Sequence, residues 1–204
     1  MFTGLVQSIG TVRGLESSEA GTRLLVEPGR TDWKASPGDS ISISGCCLTV
    51  AQIVRHEVDL FAFDVVPQTL QCTTLGDLQV EQKVNMEHAA TMSTLMGGHL
   101  VQGHVDGIAT VSRIDRNDGE YRVTFQLPED LVELAPPRGS ISIDGVSLTI
   151  AETGGGSIEV VLVPTTLQET TLGSLGQGDR VNIESDCIAR SVVHWLQTTR
   201  GSGS

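Results

Sequence analysis

Short runs in which apolar and polar residues alternate are the main feature of this sequence. Alternation with a period of two is typical of β-strands that bury one face, and turn residues separate the runs. Four runs in the first half predict strands at residues 24–27, 40–44, 48–54 and 58–65. Four more in the second half predict strands at residues 121–127, 140–143, 148–151 and 158–163. Strands this short and closely spaced favour small antiparallel barrels, because closure leaves no free edge.

The pattern occurs twice because the sequence is duplicated. The stretch SISISGCCLTV at residues 40–50 returns as SISIDGVSLTI at residues 140–150, with seven of the eleven positions identical. VPQTLQCTTLGDL at residues 66–78 likewise matches VPTTLQETTLGSL at residues 163–175. At the start of the copies, the LVQ at residue 5 matches the LVQ at residue 100, an offset of 100 − 5 = 95. We therefore predict two tandem domains, at residues 1–95 and 96–186.

Helices are predicted in three places. Pro67 and Pro164 suit the first position of a single helical turn. In the segment 187–200, apolar residues fall at helical spacing. An isolated helix of about 13 residues is marginal in water, so this one is a candidate subunit contact, with packing on its own barrel as the alternative. The last four residues, 201–204, are interpreted as a tail or linker.

Charge and composition narrow the ligand class. The chain has 25 acidic and 13 basic residues and a net charge of −12, which argues against nucleic acid. It contains no P-loop and no GxGxxG motif, so a small, weakly charged ligand is favoured. The N-terminus does not resemble a secretory leader, and no apolar run reaches about 18 residues, so we expect a cytoplasmic protein without a membrane span. The four cysteines, two of them adjacent, fit reduced thiols.

Several motifs carry a resemblance to a known family. They are MFTGLVQ at 1–7, SGCCLTV at 44–50, GGHLVQGHVDG at 97–107, SIDGVSLTI at 142–150 and the two VPxTLQxTTLG segments. Together they make residues 1 to about 196 resemble the riboflavin synthases. The resemblance implies an all-β chain of two six-stranded Greek-key barrels followed by a C-terminal α-helix, assembled as a homotrimer.

The resemblance also implies a reaction. Family members convert two molecules of 6,7-dimethyl-8-ribityllumazine into riboflavin and 5-amino-6-(D-ribitylamino)uracil by transfer of a four-carbon unit, without metal or cofactor. The N-terminal barrel of one subunit and the C-terminal barrel of its neighbour each hold one lumazine. A duplicated fold suits such a reaction, because two similar pockets can align two identical molecules.

The two copies differ at Cys47, which aligns with Ser147. A free cysteine is usually a small buried hydrophobe, whereas an exposed thiol with a lowered pKa is a nucleophile. The resemblance places Cys47 at the substrate, either as a nucleophile towards lumazine C7 or as a hydrogen-bonding group. Cys46 is expected on the other face of the strand.

His99 and His104 have no histidine counterpart in the first copy. In the sequence alignment, His99 falls opposite Gly4 and His104 falls near Ile9. Histidine can move protons at neutral pH, and the reaction removes a proton from the C7 methyl group of the donor lumazine. The resemblance places His104 in the site, and a surface or structural role is the alternative for either histidine.

The resemblance completes the candidate site. The candidate catalytic residues are Phe2, Ser40, Cys47, His104 and Asp186. The candidate substrate-binding residues, several of them through backbone groups, are Gly4, Leu5, Val6, Cys47, Leu48, Thr49, Asp64, Val65, Val66, Pro67, Gln68, Thr69, Gly103, His104, Val105, Arg138, Ser147, Leu148, Thr149, Val161, Leu162, Val163, Pro164, Thr165 and Thr166.

Some of these residues have structural alternatives. Phe2 fits a hydrophobic plug, Asp186 fits a cap for the terminal helix, and Thr69 and Thr166 fit caps for the short helices. Ser44 stands where family members often carry Asn, and the sequence assigns no role to it.

Two other functions remain open. Lumazine proteins resemble this sequence in their duplicated barrels but lack the GGHxxxGH pattern and hold one ligand as a fluorophore. A flavin-binding barrel of oxidoreductase type would carry a phosphate-binding Arg or Gly loop near a nicotinamide site, and none is found. The presence of Cys47, His99 and His104 favours the enzyme.

Overall fold

The computed structural model describes residues 1–30, 32–55, 57–117 and 119–200, without the side chain of Arg200. The tail predicted at residues 201–204 lies outside the described residues. The first barrel consists of β1 (Ser8–Ser18), β2 (Gly21–Glu27), β3 (Ser40–Ile43), β4 (Cys46–Val54), β5 (Leu60–Val65) and β6 (Lys83–His88). The second barrel consists of β7 (Gly107–Asn117), β8 (Glu120–Gln126), β9 (Ser140–Ile143), β10 (Val146–Gly154), β11 (Ser157–Leu162) and β12 (Arg180–Ser185).

Each barrel is closed and antiparallel. The strand order is β1-β2-β5-β4-β3-β6 in the first barrel and β7-β8-β11-β10-β9-β12 in the second. The two orders correspond strand for strand. The prediction of two tandem six-stranded Greek-key barrels is therefore confirmed.

The last strand of each barrel, β6 and β12, does not show the alternation of apolar and polar residues, and burial explains why. In β6 the four residues from Val84 to Glu87 are all buried, and in β12 the five residues from Val181 to Ser185 are buried. One face of each strand lines its own barrel core, while the other is covered where the two barrels meet. Polar residues on that covered face remove the contrast between inside and outside that the pattern depends on.

The repeated stretch forms the tight turns that meet between the barrels. Ser44 and Gly45 have φ values of 43° and 83°, and Asp144 and Gly145 have values of 46° and 80°. Positive φ at both central residues is typical of a type I′ hairpin turn. A Cβ atom on Gly45 would lie 2.7 Å from the backbone nitrogen of Gly145. Only glycine therefore fits at this approach of the two barrels, and Ser44 has a structural role.

Two buried asparagines fasten the barrels together. The Asn85 side chain donates to the carbonyl oxygen of Asp144 at 2.9 Å and accepts from the amide of Thr171 at 2.8 Å. Asn182 reaches the other way and donates to the carbonyl oxygen of Ser44 at 2.8 Å. Because the nitrogen and the oxygen of the Asn85 side-chain amide both have partners across the interface, burying this side chain leaves no polar atom unpaired.

The segment that precedes each barrel runs across to the other barrel. We call residues 2–7 the first crossing segment and residues 101–106 the second crossing segment. The carbonyl oxygen of Gly4 accepts from the amide of Ser147 at 2.8 Å, and that of Gly103 accepts from the amide of Cys47 at 2.8 Å. Val105 packs against the core of the first barrel.

This arrangement corrects the sequence alignment at the start of the copies. Gly4 corresponds to Gly103, so the offset is 103 − 4 = 99, not 95. His104 is consequently the counterpart of Leu5, and His99 lies one residue before Leu100, the counterpart of Met1. The two LVQ tripeptides match in letters but occupy different places in the fold.

The predicted helices are present. Short helices α1 (Pro67–Cys72) and α2 (Pro164–Glu169) begin at prolines, and α3 (Cys187–Arg200) ends the described chain. The polar side of α3 touches the second barrel, for example where Gln197 donates to Glu133 at 3.3 Å. Its apolar stripe is left open: Ile188 is 68%, Val192 51% and Trp195 63% exposed. Among the described helices, none has the length and apolar character needed to cross a membrane.

Candidate functional site

The candidate side chains of the first barrel lie on the outer face of a hairpin. Ser40 pairs with Thr49, and Ser42 pairs with Cys47, across β3 and β4. Leu48, which points the other way, is buried in the core. Since residues alternate between the faces of a strand, Cys47 and Thr49 project outward together.

The second barrel repeats this face. Ser140 pairs with Thr149, and Ser142 pairs with Ser147, across β9 and β10. Leu148 packs against the core of this barrel. The duplication therefore presents two equivalent outer faces, which differ where Cys47 is replaced by Ser147.

Around Cys47, the second crossing segment completes one half-site. The Cys47 side chain is half-buried, and a Cβ atom on Gly103 would lie 2.5 Å from its Cβ and 2.9 Å from the Phe2 ring. His104 follows Gly103 and is exposed. We call Cys47, Gly103, His104 and the underlying Phe2 the Cys47 half-site. Phe2 is fully buried, which agrees with the interpretation as a hydrophobic plug.

Cys46 takes no part in this surface. Its side chain belongs to the core of the first barrel. Burial, reinforced by the nearby Cys47 and Glu184, raises the pKa of the Cys46 thiol to about 12. A thiol with that pKa is not a nucleophile at neutral pH, and its expected place on the opposite face is confirmed.

Around Ser147, a histidine completes the other half-site. The Oγ atom of Ser147 and Nδ1 of His99 lie 2.7 Å apart. A Cβ atom on Gly98 would lie 2.8 Å from the Ser147 Cβ and 2.2 Å from the carbonyl oxygen of Thr3, so the segment fits closely. We call Ser147, His99, Gly98 and Gly4 the Ser147 half-site. The sequence marked His99 as unmatched, but its pairing with Ser147 depends on how the chain crosses the barrel.

The electrostatics of His99 favour a neutral ring. Burial lowers its pKa, and the nearby Asp186 carboxylate opposes that shift. Its Nε2 atom is buried and has no hydrogen-bond partner among the described residues. A neutral imidazole has one donor and one acceptor nitrogen, so Nδ1 can accept from the Ser147 hydroxyl while Nε2 carries the proton.

A buried glutamate holds the second crossing segment. Glu184 on β12 accepts from the amide of Gln102 at 2.7 Å, from Gly103 at 2.9 Å and from His104 at 3.2 Å. Burial raises the pKa of Glu184, and the amides of Gln102 and Gly103 oppose the rise. The glutamate thereby fixes the backbone that carries His104.

Glu87 does the same for the first crossing segment. It accepts from the amide and hydroxyl of Thr3, both at 2.7 Å, and from the amide of Gly4 at 3.0 Å. Neither glutamate was among the predicted site residues. The available signal was a carboxylate repeated at the same place, as Val-Asn-x-Glu, in both copies.

Comparison with known proteins follows the same duplication. The family model of the lumazine binding domain matches residues 3–89 and again residues 102–186. A curated riboflavin synthase from Mycobacterium bovis is 39% identical over 203 residues, covering 97% of this chain and 99% of the relative. Another, from Bacillus subtilis, is 34% identical and covers 96% and 90%. This chain belongs to the riboflavin synthase family.

Solved structures add ligand-bound neighbours of the family fold. The crystal structure of LumP complexed with riboflavin superposes with a TM-score of 0.79 at 31% identity, covering 91% of this chain and 99% of that chain. The complex of LumP with 6,7-dimethyl-8-(1'-D-ribityl) lumazine gives a TM-score of 0.76 at 28% identity, with the same coverage.

In this member of the riboflavin synthase family, α1 follows β5 and α2 follows β11, so the two short helices occupy equivalent places in the two copies. Thr69 is the third residue of α1, while the residue that precedes the helix is Val66, which makes no side-chain cap. Val163 precedes α2 in the same way, and Thr166 occupies the position of Thr69. The capping alternative for the two threonines is therefore wrong.

Other candidate residues lie in mixed settings. Asp64 is exposed and bound by Arg23 at 2.8 and 3.0 Å, which lowers the pKa of Asp64. With Val65 and Val66 it lines a groove of about 530 Å³. Asp186 accepts from the amide of Ile188 at 2.8 Å, so its capping role at α3 is confirmed.

The remaining candidates divide by exposure. Exposed residues that can offer side chains are Leu5, Gln68, Arg138, Pro164 and Thr165. Val65 and Leu162 are buried in the barrel cores and can offer only backbone groups. Val6 packs against the core of the second barrel and Val161 is partly buried.

A second groove lies away from the predicted residues. It has a volume of about 490 Å³ between the barrels, and its lining includes Ser44, Lys83, Asp144 and Arg180. Burial raises the pKa of Asp144 to about 7. This groove contains none of the candidate site residues, so it reflects barrel docking, with Asp144 as its buried acid.

Proposed function

We propose that this protein is a riboflavin synthase, a cytoplasmic transferase that needs no cofactor. It converts two molecules of 6,7-dimethyl-8-ribityllumazine into riboflavin and 5-amino-6-(D-ribitylamino)uracil by transfer of a four-carbon unit. The observation that carries this proposal is the presence of two equivalent half-sites with different reactive groups. Two similar pockets bind two identical molecules, while different groups give them different fates.

Each half-site contains one histidine, and the two histidines come from different positions. His104 stands beside Gly103 in the Cys47 half-site, where the first copy has Leu5. His99 contacts Ser147 in the other half-site. An imidazole near neutral pKa is suited to proton transfer, so we assign removal of the C7 methyl proton to one of these histidines, with His104 as the first candidate.

The thiol and hydroxyl complete the asymmetry. Cys47 either adds to C7 of one lumazine or donates a hydrogen bond to its ring. Ser147 can pass its hydroxyl proton to His99, which activates the Ser147 oxygen as a nucleophile. Thr49 and Thr149 lie at equivalent exposed positions and are assigned to polar groups of the heterocycle.

The rest of the predicted pocket is assigned by its place in the two copies. Residues 64–69 and 161–166 are equivalent segments that lead into α1 and α2, and we assign Thr69 and Thr166 to the ribityl chains. Arg138 is exposed before β9 and is assigned to a ligand held by a neighbouring subunit. Units 1–95 and 96–186 are thus the two lumazine-binding domains.

Assembly as a homotrimer, with each site between two subunits, is part of the proposal. The exposed stripe of α3 supports it, as do the exposed side chains of Met92, at 105%, and Leu95, at 88%, in the connection between the barrels. Exposed apolar patches of this kind mark contact surfaces.

The competing function is a non-catalytic lumazine or flavin carrier. The LumP complexes, with lumazine in one and riboflavin in another, are the observations that favour it. Such a protein would bind the ligand and leave it unchanged.

One experiment separates the two functions. Purified protein is incubated with 6,7-dimethyl-8-ribityllumazine and no cofactor, and riboflavin is followed by absorbance. The enzyme produces one riboflavin for each two lumazines consumed, and Cys72→Ser, an exposed thiol outside both half-sites, does so at the wild-type rate. Tight binding of the lumazine without riboflavin formation would establish the carrier.

A further inference from the structure

The C-terminal helix is tied to the second crossing segment by one arginine. Arg190 on α3 forms a salt bridge with Asp106 and donates to the side chain of Gln102 at 2.5 Å. The other carboxylate oxygen of Asp106 accepts from the amide of Ser185 at 2.8 Å and from its hydroxyl at 2.5 Å. Arg190 therefore contacts the segment at two points, residues 102 and 106.

Between these two points lie Gly103 and His104, two members of the Cys47 half-site. The Glu184 carboxylate accepts hydrogen bonds from the backbone amides of residues 102–104. The carbonyl oxygen of Gly103 accepts from the amide of Cys47 at 2.8 Å, and His104 is the next residue of the segment. A shift of the segment would therefore move His104 and Cys47 relative to each other.

The first copy serves as an internal control. Gln7 is the counterpart of Asp106, since each donates its backbone amide to the matching strand residue, Met86 at 2.9 Å and Ile183 at 2.8 Å. The Gln7 side chain accepts from the amide of His88 at 3.1 Å, as Asp106 does from that of Ser185. A neutral amide is thus sufficient for this bond, and the carboxylate at Asp106 adds a partner for Arg190. Residues 89–106, all of them described, contain no helix after β6.

The pair is sheltered enough to hold the segment. The Arg190 side chain is 30% exposed and that of Asp106 is 14% exposed. Exposed ion pairs contribute little because water screens them, as at Arg30 and Asp32, which are 56% and 69% exposed. A half-buried arginine with two acceptors fixes direction as well as distance.

We propose that Arg190 is a positioning residue, which ties α3 to the second crossing segment and so sets His104 and Gly103 against Cys47. This inference deepens the function proposed above and rests on it. It makes the orientation of the C-terminal helix a determinant of the Cys47 half-site. Because α3 presents an open apolar stripe, whatever packs on that stripe is coupled to the site through Arg190.

The test uses hydrogen exchange and turnover together, in full-length protein. Asp106→Asn removes the charge that pairs with Arg190 and leaves the sequence of α3 unchanged. Arg190→Gln removes the guanidinium that binds Asp106 and Gln102. In both variants we expect the amides of residues 102–104 to exchange faster, and kcat to fall by roughly 10- to 100-fold, the effect of a small misplacement of reacting groups. Arg190→Lys, which can pair with Asp106 but not reach Gln102 at the same time, restores part of kcat.

Gln197→Ala is the matched control, since it removes a contact of α3 with Glu133 that involves no residue of the segment. It leaves both readings at wild-type values. Unchanged exchange at 102–104, unchanged kcat in Asp106→Asn, or the same changes in Gln197→Ala would each overturn the proposal. If Arg190→Gln alters the subunit count, Asp106→Asn decides. Exchange is measured without turnover, so a wild-type protein that makes no riboflavin contradicts the proposed function and leaves the tie testable.

Discussion

The amide of Cys47 donates to the carbonyl oxygen of Gly103 at 2.8 Å, joining the first barrel to the segment that opens the second copy. The amide of Ser147 likewise donates to the carbonyl oxygen of Gly4 at 2.8 Å, joining the second barrel to the segment that opens the first copy. Each outer face is therefore finished by the other copy. This exchange places His104 next to Gly103, which contacts Cys47, and leaves Leu5 next to Gly4 at the equivalent point.

The first prediction concerns Gly103. Its φ is +79°, and a Cβ atom there would lie 2.5 Å from the Cβ of Cys47. Gly103→Ala is expected to lower the free energy of unfolding by more than the ~1–2 kcal/mol that a left-handed backbone alone costs, and to reduce kcat. Urea unfolding and riboflavin formation measure the two effects.

The control for this variant is Gly38→Ala. Gly38 has a φ of +96° and nothing within 4 Å of its added Cβ, so it carries the backbone cost without the clash. Equal losses of stability in the two variants would contradict the close approach at Gly103.

The second prediction concerns pH and His99. Burial lowers its pKa in the folded protein, while the unfolded value is near ~6.5. The stability contributed by the neutral ring is fully present above the unfolded pKa and is lost as pH falls through the lowered folded pKa. We expect His99→Asn to weaken the loss of unfolding free energy between about pH 7 and pH 5, measured by urea titration. His104→Asn is the comparison, because His104 is exposed, and an equal change there would remove burial as the cause.

The third prediction concerns Asp144, where the sign is reversed. Burial raises the pKa of this carboxyl to about 7. Its contribution to stability is full below the unfolded pKa of about 3.9 and is lost as pH rises through about 7. Asp144→Asn keeps an acceptor for the Asn182 amide, so its stability relative to wild type should increase between about pH 4 and pH 7, by roughly 2–4 kcal/mol in total.

Ser44→Asn, at the equivalent turn, provides the comparison for Asp144. It replaces no ionisable group, so its difference from wild type should not vary with pH. A pH-independent effect of Asp144→Asn would show that the carboxyl is ionised in the fold at all pH values tested.

The fourth prediction concerns assembly through α3. Val192 and Trp195 are 51% and 63% exposed on one stripe. Replacing both with Glu is expected to reduce the subunit count, because charges on the stripe oppose burial. Light scattering gives the mass, and Gln197→Ala on the polar side of α3 should leave it unchanged. An unaltered mass in the double variant would show that α3 is not the assembly surface.

The sequence predicted the architecture more completely than it predicted the candidate site. The identity between the stretches around Gly45 and Gly145 was sufficient to predict two barrels, because turn residues and alternation recur there. It could not give the partner of His99, since the bond to Ser147 depends on the segment crossing to the other barrel. A three-residue match at Leu5 also misled the alignment, whereas the bonds of Glu87 and Glu184 fix the register.

The central claim is that two half-sites bind identical molecules and treat them differently because Cys47 stands opposite Ser147 in the duplication. The most direct test is the rate of riboflavin formation by Cys47→Ala, with lumazine binding measured in parallel and Cys72→Ala as the control. The account predicts retained binding, a fall in kcat of about 100-fold, in the range typical of lost acid–base or nucleophilic groups, and no change in the control. A wild-type kcat in Cys47→Ala would contradict it.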